Sequence, residues 1–246
     1  MTHAAAQDFD VLDRRVRVAA RALACHGLVG AWGHCSARLD AGRFLVCAAR
    51  PMGRIGIGEA GTIVPVDQPL PPGVLGEVRI HQQIYQRRPD VGGVCRVFPP
   101  ATVALSTLRL VPRPRHGVGA FNAACRFRDD VRLLRDDGLA AELAAQLGDA
   151  PSLIMRANGA VTVGGSIEMA ACFAWCLEDA ARIEQQVRAI ATADAINAGL
   201  LSSEEIAQRQ ISAGQVFERL WDYLAGGDEE AIAGEVQFPA PTWGTL

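Results

Sequence analysis

Gly76-Glu77-Val78-Arg79-Ile80-His81, then Ile84-Tyr85, then Arg88-Pro89-Asp90-Val91 is the stretch on which the fold is read. Val78, His81, Ile84 and Tyr85 recur at three- and four-residue intervals, the spacing of one helix face. The helix predicted over 74–87 stops at Arg88-Pro89, because proline disfavours helix in the residue before it. The run from Val91 to Phe98 that follows is mostly apolar and reads as a buried strand.

Working outward, residues 10–26 read as a helix ended by Gly27 and Gly30. Residues 36–38, 43–47 and 62–66 read as short strands. Downstream, 101–107 is a short helix, 131–147 a broken helix, and 152–156 and 160–163 are strands about an Asn158-Gly159 turn. Ser166 caps a helix running to about Ala191. Ser202 with Glu205 forms a capping box for a further helix reaching about Leu224. The order predicts a mixed α/β fold with helices on both faces of a sheet, as one domain over 1–246 with tails at 1–9 and 235–246.

The chain has 246 residues, a formal charge of -3 and no lysine. Lysine Schiff-base chemistry and the phosphate-binding P-loop are therefore excluded. No excess of positive charge points to nucleic acid. No apolar run reaches membrane-spanning length, and no membrane partner is expected. Seven cysteines without a C-x-x-C pair argue against a disulfide framework and favour a reduced, cytoplasmic setting. Residues 1–10 lack the charged and apolar regions of a signal peptide. Cys172 and Cys176 read as small buried apolar residues of the long helix.

Gly33-His34-Cys35-Ser36-Ala37-Arg38, the 76–91 stretch, Leu153 to Gly159 with Val163-Gly164, and Leu177-Glu178-x-Ala180 occur in one order. Together they resemble the class II aldolase/adducin family over roughly residues 10–190. That resemblance implies a three-layer α/β/α sandwich with a central, largely antiparallel sheet. It also implies a homo-oligomer, usually a tetramer, whose sites sit at subunit junctions, with a neighbour's residue near Trp221 and Tyr223. His34 and His116 lie in segments similar to the branch that decarboxylates hydroxylated aromatic or pyridine acids. The phosphate-holding loop of the sugar-phosphate aldolases is replaced here by Cys47-Ala48-Ala49-Arg50.

The family binds zinc or another divalent metal through three histidines, and the matching positions here are Arg96, Phe98 and Asn158. A guanidinium cannot donate a lone pair, a phenyl ring has none, and an amide oxygen is a weak ligand. The expectation is therefore no metal and no other cofactor. Cys95 lies on the opposite strand face from Arg96 and is no replacement.

The resemblance makes Glu77 the general acid/base. A carboxyl in a partly apolar pocket can exchange protons near neutrality. Arg96 would place a guanidinium near the lost ion, unless it turns outward or pairs with an acid. His34 and His116 are candidate catalytic donors to a carboxylate or phenol, or else turn histidines. Ser36, Arg50, His81 and Asn158 complete the site as substrate-binding candidates, with Ser36 shaping a turn and His81 able to serve as a core histidine. Arg126, Arg132 and Arg135 among four aspartates read as a solvated face. The function expected is a metal-independent carbon–carbon or carboxy-lyase for a small, aromatic or hydroxylated carboxylic acid. Two alternatives stay open: a non-catalytic binding or assembly protein, and a lyase with relocated metal ligands His34, His116 and Glu77.

Overall fold

The computed structural model describes residues 3–238 apart from 193 and 212, and side chains from residue 8 onward. Among these residues seven strands form one sheet. They are β1 (His34–Arg38), β2 (Arg43–Val46), β3 (Thr62–Pro65), β4 (Gly93–Val97), β5 (Arg126–Arg128), β6 (Ser152–Met155) and β7 (Ala160–Gly164). Their spatial order is β3-β2-β1-β4-β7-β6-β5. Every neighbouring pair is antiparallel except β5 with β6, so the largely antiparallel sheet is observed.

Helices cover both faces. On one lie α1 (His3–Cys25) and α5 (Ile167–Ile190), with α7 (Val216–Ala225) packed beside them. On the other lie α2 (Arg79–Arg87) and α4 (Asp137–Leu147). Alternation along β4 sorts the two cores: Cys95 and Val97 join the α1/α5 side, Val94 the α2/α4 side. Gly93 lets α5 start directly against the sheet, since a Cβ there would lie 2.4 Å from Ile167 backbone atoms. No helix of the described residues is long and apolar enough to cross a membrane.

The motifs act as ties between these layers. Arg38 donates to the carbonyls of Val91, Tyr85 and Arg88, locking the end of α2 to β1. Glu178 accepts from the Ala101 and Thr102 amides, capping α3 (Pro100–Thr107) from α5. Those N–H groups have no partner within the helix, so a buried carboxylate is a strong acceptor for them.

Several boundaries differ from expectation. Helix α1 begins at His3, not at residue 10, consistent with the helix-forming Ala4-Ala5-Ala6. The segment before residue 239 is no free tail: Val236 and Phe238 are buried, and Phe217 faces Phe238 with ring centroids 6.1 Å apart. The rest of that predicted tail, 239–246, lies outside the described residues. Only Asp137–Leu147 of the region 131–147 is helical, capped by Asp136. The helix predicted from Ser203 to about Leu224 splits into α6 (Ser203–Arg209) and α7, with Gly214 and Gln215 at positive φ between them. Strand β5 was hidden in the supposed charged face, where Arg128 is buried against Asp130 and Glu142.

Candidate active site

A cleft of about 660 Å³ opens at the end of the sheet where β1 begins, β4 ends and β6 turns into β7. Strand register places His34 directly opposite Arg96, so both side chains leave the sheet on the same face. Glu77 comes from the short 3-10 turn that precedes α2. Asn158 comes from the β6–β7 turn, where Gly159 has φ +71° and its missing Cβ leaves room for the Val97 carbonyl and the Arg96 guanidinium.

Arg96 is fully buried. Its Nε stands 3.3 Å from Glu77 Oε2, a charge contact whose alignment falls short of a hydrogen bond. One Nη donates to Asn158 Oδ1 at 3.0 Å, another to the Val97 carbonyl at 3.2 Å, and the guanidinium lies 4.1 Å from the Phe98 ring centroid. Burial pulls its pKa down to about 10 against the attraction of Glu77, so it stays charged at neutral pH. Arg96 therefore does pair with an acid, but inside the site and not at the surface. It holds Glu77 and Asn158 from behind and is not itself a wall of the cleft.

These geometries bear on the metal that the three-histidine pattern implies. The three positions are filled by a guanidinium, the ring it stacks on and the amide oxygen it binds. A fixed positive charge with all its nitrogens as donors is the opposite of a divalent-cation ligand. The residues present do not fit the group. The relocated set fares no better: among the described residues no three His, Cys, Asp or Glu side chains are grouped to hold a metal.

The cleft wall brings together His34, Arg50, Glu77 and Asn158, with Arg135 and the apolar Trp32, Leu75, Phe98 and Leu133. Glu77 is the single carboxylate among them; its Oε1 accepts from the Leu134 amide at 3.2 Å. Arg50 is anchored by Glu59 at 3.0 Å and remains about half exposed.

Other expected site residues lie elsewhere. Ser36 and His81 are fully buried and stand behind His34. His81 Nε2 meets His34 Nδ1 at 2.9 Å, and His81 Nδ1 meets Ser36 Oγ at 2.6 Å. Burial, with Arg96 adding repulsion, holds His81 down to about 3, while burial, His81 and Arg96 hold His34 well below the ordinary imidazole range. His116 does not reach this chain's cleft; its Nε2 pairs with Asp179 Oδ2 on α5 at 2.8 Å. Trp221 is a core residue, and Tyr223 packs on His26 and Trp175 while 60% exposed. Arg135 was read as part of a solvated face. It lines the cleft instead, and nothing in the sequence sets it apart from Arg126 and Arg132.

The class II aldolase and adducin N-terminal domain family matches residues 14–185. The chain belongs to that family. A 3,4-dihydroxyphthalate decarboxylase from Terrabacter sp. (strain DBF63) is 32% identical over 194 residues, 72% of this chain and 81% of that protein. One of the same description from Arthrobacter keyseri is 31% identical over 207 residues, covering 76% and 80%. Among solved structures, an aldolase II superfamily protein from Pseudomonas syringae is 27% identical with a TM-score of 0.68, over 87% of this chain and 91% of that one. The L-fuculose 1-phosphate aldolase of Glaciozyma antarctica PI12, at 17% identity and TM-score 0.75 over 92% and 91%, shares the fold.

Proposed function

We propose that this family member is a lyase that releases carbon dioxide from an aromatic hydroxy-carboxylic acid of the 3,4-dihydroxyphthalate type, without a divalent metal. The observation that carries the reading is the cleft itself: one carboxylate, Glu77, among exposed arginines and flat apolar walls. Arg50 and Arg135 suit the ligand's carboxylates, and Trp32, Leu75 and Leu133 suit an aromatic face. The relatives' activity agrees with that chemistry.

In the proposed reaction the Glu77 carboxylate takes the proton of a ring hydroxyl ortho to the departing carboxylate. It returns that proton to the ring carbon bearing the carboxylate, giving a dienone. The carbon–carboxylate bond then breaks, its electron pair restores the ring as a phenolate, and carbon dioxide leaves. Water reprotonates the phenolate. Arg96, through Glu77 and Asn158, is a positioning residue in this scheme.

The assembly-protein alternative finds one observation in its favour: Glu77 is already held by Arg96 and the Leu134 amide, as a structural carboxylate would be. Incubation with 3,4-dihydroxyphthalate separates the two. Carbon dioxide release by the wild-type chain and its loss in Glu77→Gln supports the lyase; equal inactivity of both sinks it.

A further inference from the structure

Behind His34 runs a closed chain of hydrogen bonds that ends on a backbone carbonyl. The Tyr85 hydroxyl donates to the Ser36 carbonyl at 3.1 Å. Ser36 Oγ lies 2.9 Å from the Tyr85 oxygen and 2.6 Å from His81 Nδ1, and His81 Nε2 lies 2.9 Å from His34 Nδ1. All four side chains are buried, so water does not reorder the chain. Burial keeps both imidazoles in their neutral form, each with one ring proton.

Four contacts share four protons, and a carbonyl can only accept, which sets the direction. The Tyr85 proton goes to the Ser36 carbonyl, so the Ser36 hydroxyl must donate to the Tyr85 oxygen. His81 then donates from Nδ1 to Ser36 Oγ, and His34 donates from Nδ1 to His81 Nε2. His34 Nε2 is left without a proton. That nitrogen is buried and has no protein partner, and His34 is one of the residues that line the cleft. The opposite order would leave the Tyr85 hydroxyl as the one hydrogen for two contacts, with Ser36 Oγ and with the Ser36 carbonyl, and so make one hydrogen bond fewer in a buried chain.

We infer that His34 presents a bare, proton-accepting Nε2 to the ligand, so that this corner of the cleft selects a hydroxyl group and rejects a carboxylate. Two lone-pair carriers repel, whereas a phenolic O–H supplies the missing proton. This reverses the expectation that His34 donates to the substrate. It divides the cleft: arginines take the carboxylates and His34 takes a hydroxyl. Only the aromatic nature of the ligand rests on the decarboxylase reading. Tyr85 and Ser36 are positioning residues that act through His81.

The test is long-range proton–nitrogen NMR on the full chain labelled with 15N-histidine, near neutral pH and without ligand. The proposal expects the proton of both His34 and His81 on Nδ1. A proton on His34 Nε2, or a doubly protonated His34, overturns it. In Tyr85→Phe the serine hydroxyl is free to turn towards His81, and a mixture of His34 tautomers is expected; an unchanged tautomer overturns the role given to Tyr85. Should that variant fail to fold, the wild-type spectrum still decides the tautomer. Selectivity is read with 3,4-dihydroxyphthalate against its dimethyl ether, which has no hydroxyl proton. The ether should bind about tenfold or more weakly, and equal binding overturns the assigned selectivity. The tautomer is read without turnover, so a fixed Nδ1 proton in an inactive protein would defeat the decarboxylase reading alone.

Discussion

Arg96 and Glu77 form an ion pair across 3.3 Å in which the arginine side chain has no exposed surface and the glutamate 15%. Replacing Arg96 by Met would leave Glu77 facing an apolar group in a largely buried position. Truncating one partner of a buried pair costs about 3–5 kcal/mol. Denaturant unfolding of Arg96→Met should show a loss of that order, and Arg96→Lys should recover only part of it, because an ammonium cannot reach Glu77, Asn158 and Val97 together. A midpoint unchanged by Arg96→Met would mean the pair is not formed in solution.

Glu77→Gln keeps size and hydrogen-bonding capacity but removes the proton carrier. Turnover should fall by roughly 10²–10⁴-fold, the usual contribution of a general acid or base. Ligand affinity, followed by calorimetry, should change little. Loss of binding with unchanged turnover per bound ligand would reassign Glu77 to recognition.

Arg50→Ala and Arg135→Ala each remove a charged donor at the cleft wall. Hydrogen bonds to charged groups contribute about 1.5–3 kcal/mol, so KM should rise roughly tenfold to a hundredfold with kcat nearly kept. Arg50 is the more exposed to compensation, since its removal also frees Glu59. A pure kcat effect would place these arginines in the chemistry.

How much of this was open to the sequence can be traced residue by residue. The 76–91 stretch gave the helix, its stop and the strand because periodicity and proline act locally, and the Asn158-Gly159 turn followed from turn chemistry. The mixed α/β layering and the opposition of Arg96 and Cys95 across β4 followed in the same way, whereas the largely antiparallel sheet was implied by the family resemblance. Non-local partners were illegible. Nothing in Ser36, His81 or Tyr85 taken singly shows that their hydrogen bonds close on one another and leave only His34 at the cleft. His116 was placed by its sequence neighbourhood, and its bond to Asp179 on a helix 63 residues away removes it from this chain's cleft. The helix expected through 210–215 breaks there: α6 ends at Arg209, and Gly214 and Gln215 take positive φ before α7 begins at Val216.

Acid should destabilise the fold through the buried histidines. His81 titrates near 3 when folded against an ordinary 6.5. Between those values the unfolded chain binds the proton and the folded one does not, so stability falls as pH drops through that window. The slope is about 1.4 kcal/mol per pH unit for each such group, and His34 adds to it in the same direction. His81→Gln should flatten the dependence between pH 6 and 4, as followed by thermal unfolding. An equally steep loss in the variant would place the acid sensitivity elsewhere.

The most direct test of a metal-free decarboxylase is one preparation assayed twice. Protein dialysed against chelator is analysed for metal by plasma mass spectrometry, and the same sample is given 3,4-dihydroxyphthalate while carbon dioxide is measured. Steady release is expected with metal far below one ion per chain and no gain on adding zinc, manganese or iron. Release that appears only when a divalent ion is restored, with about one ion per chain, would contradict metal independence.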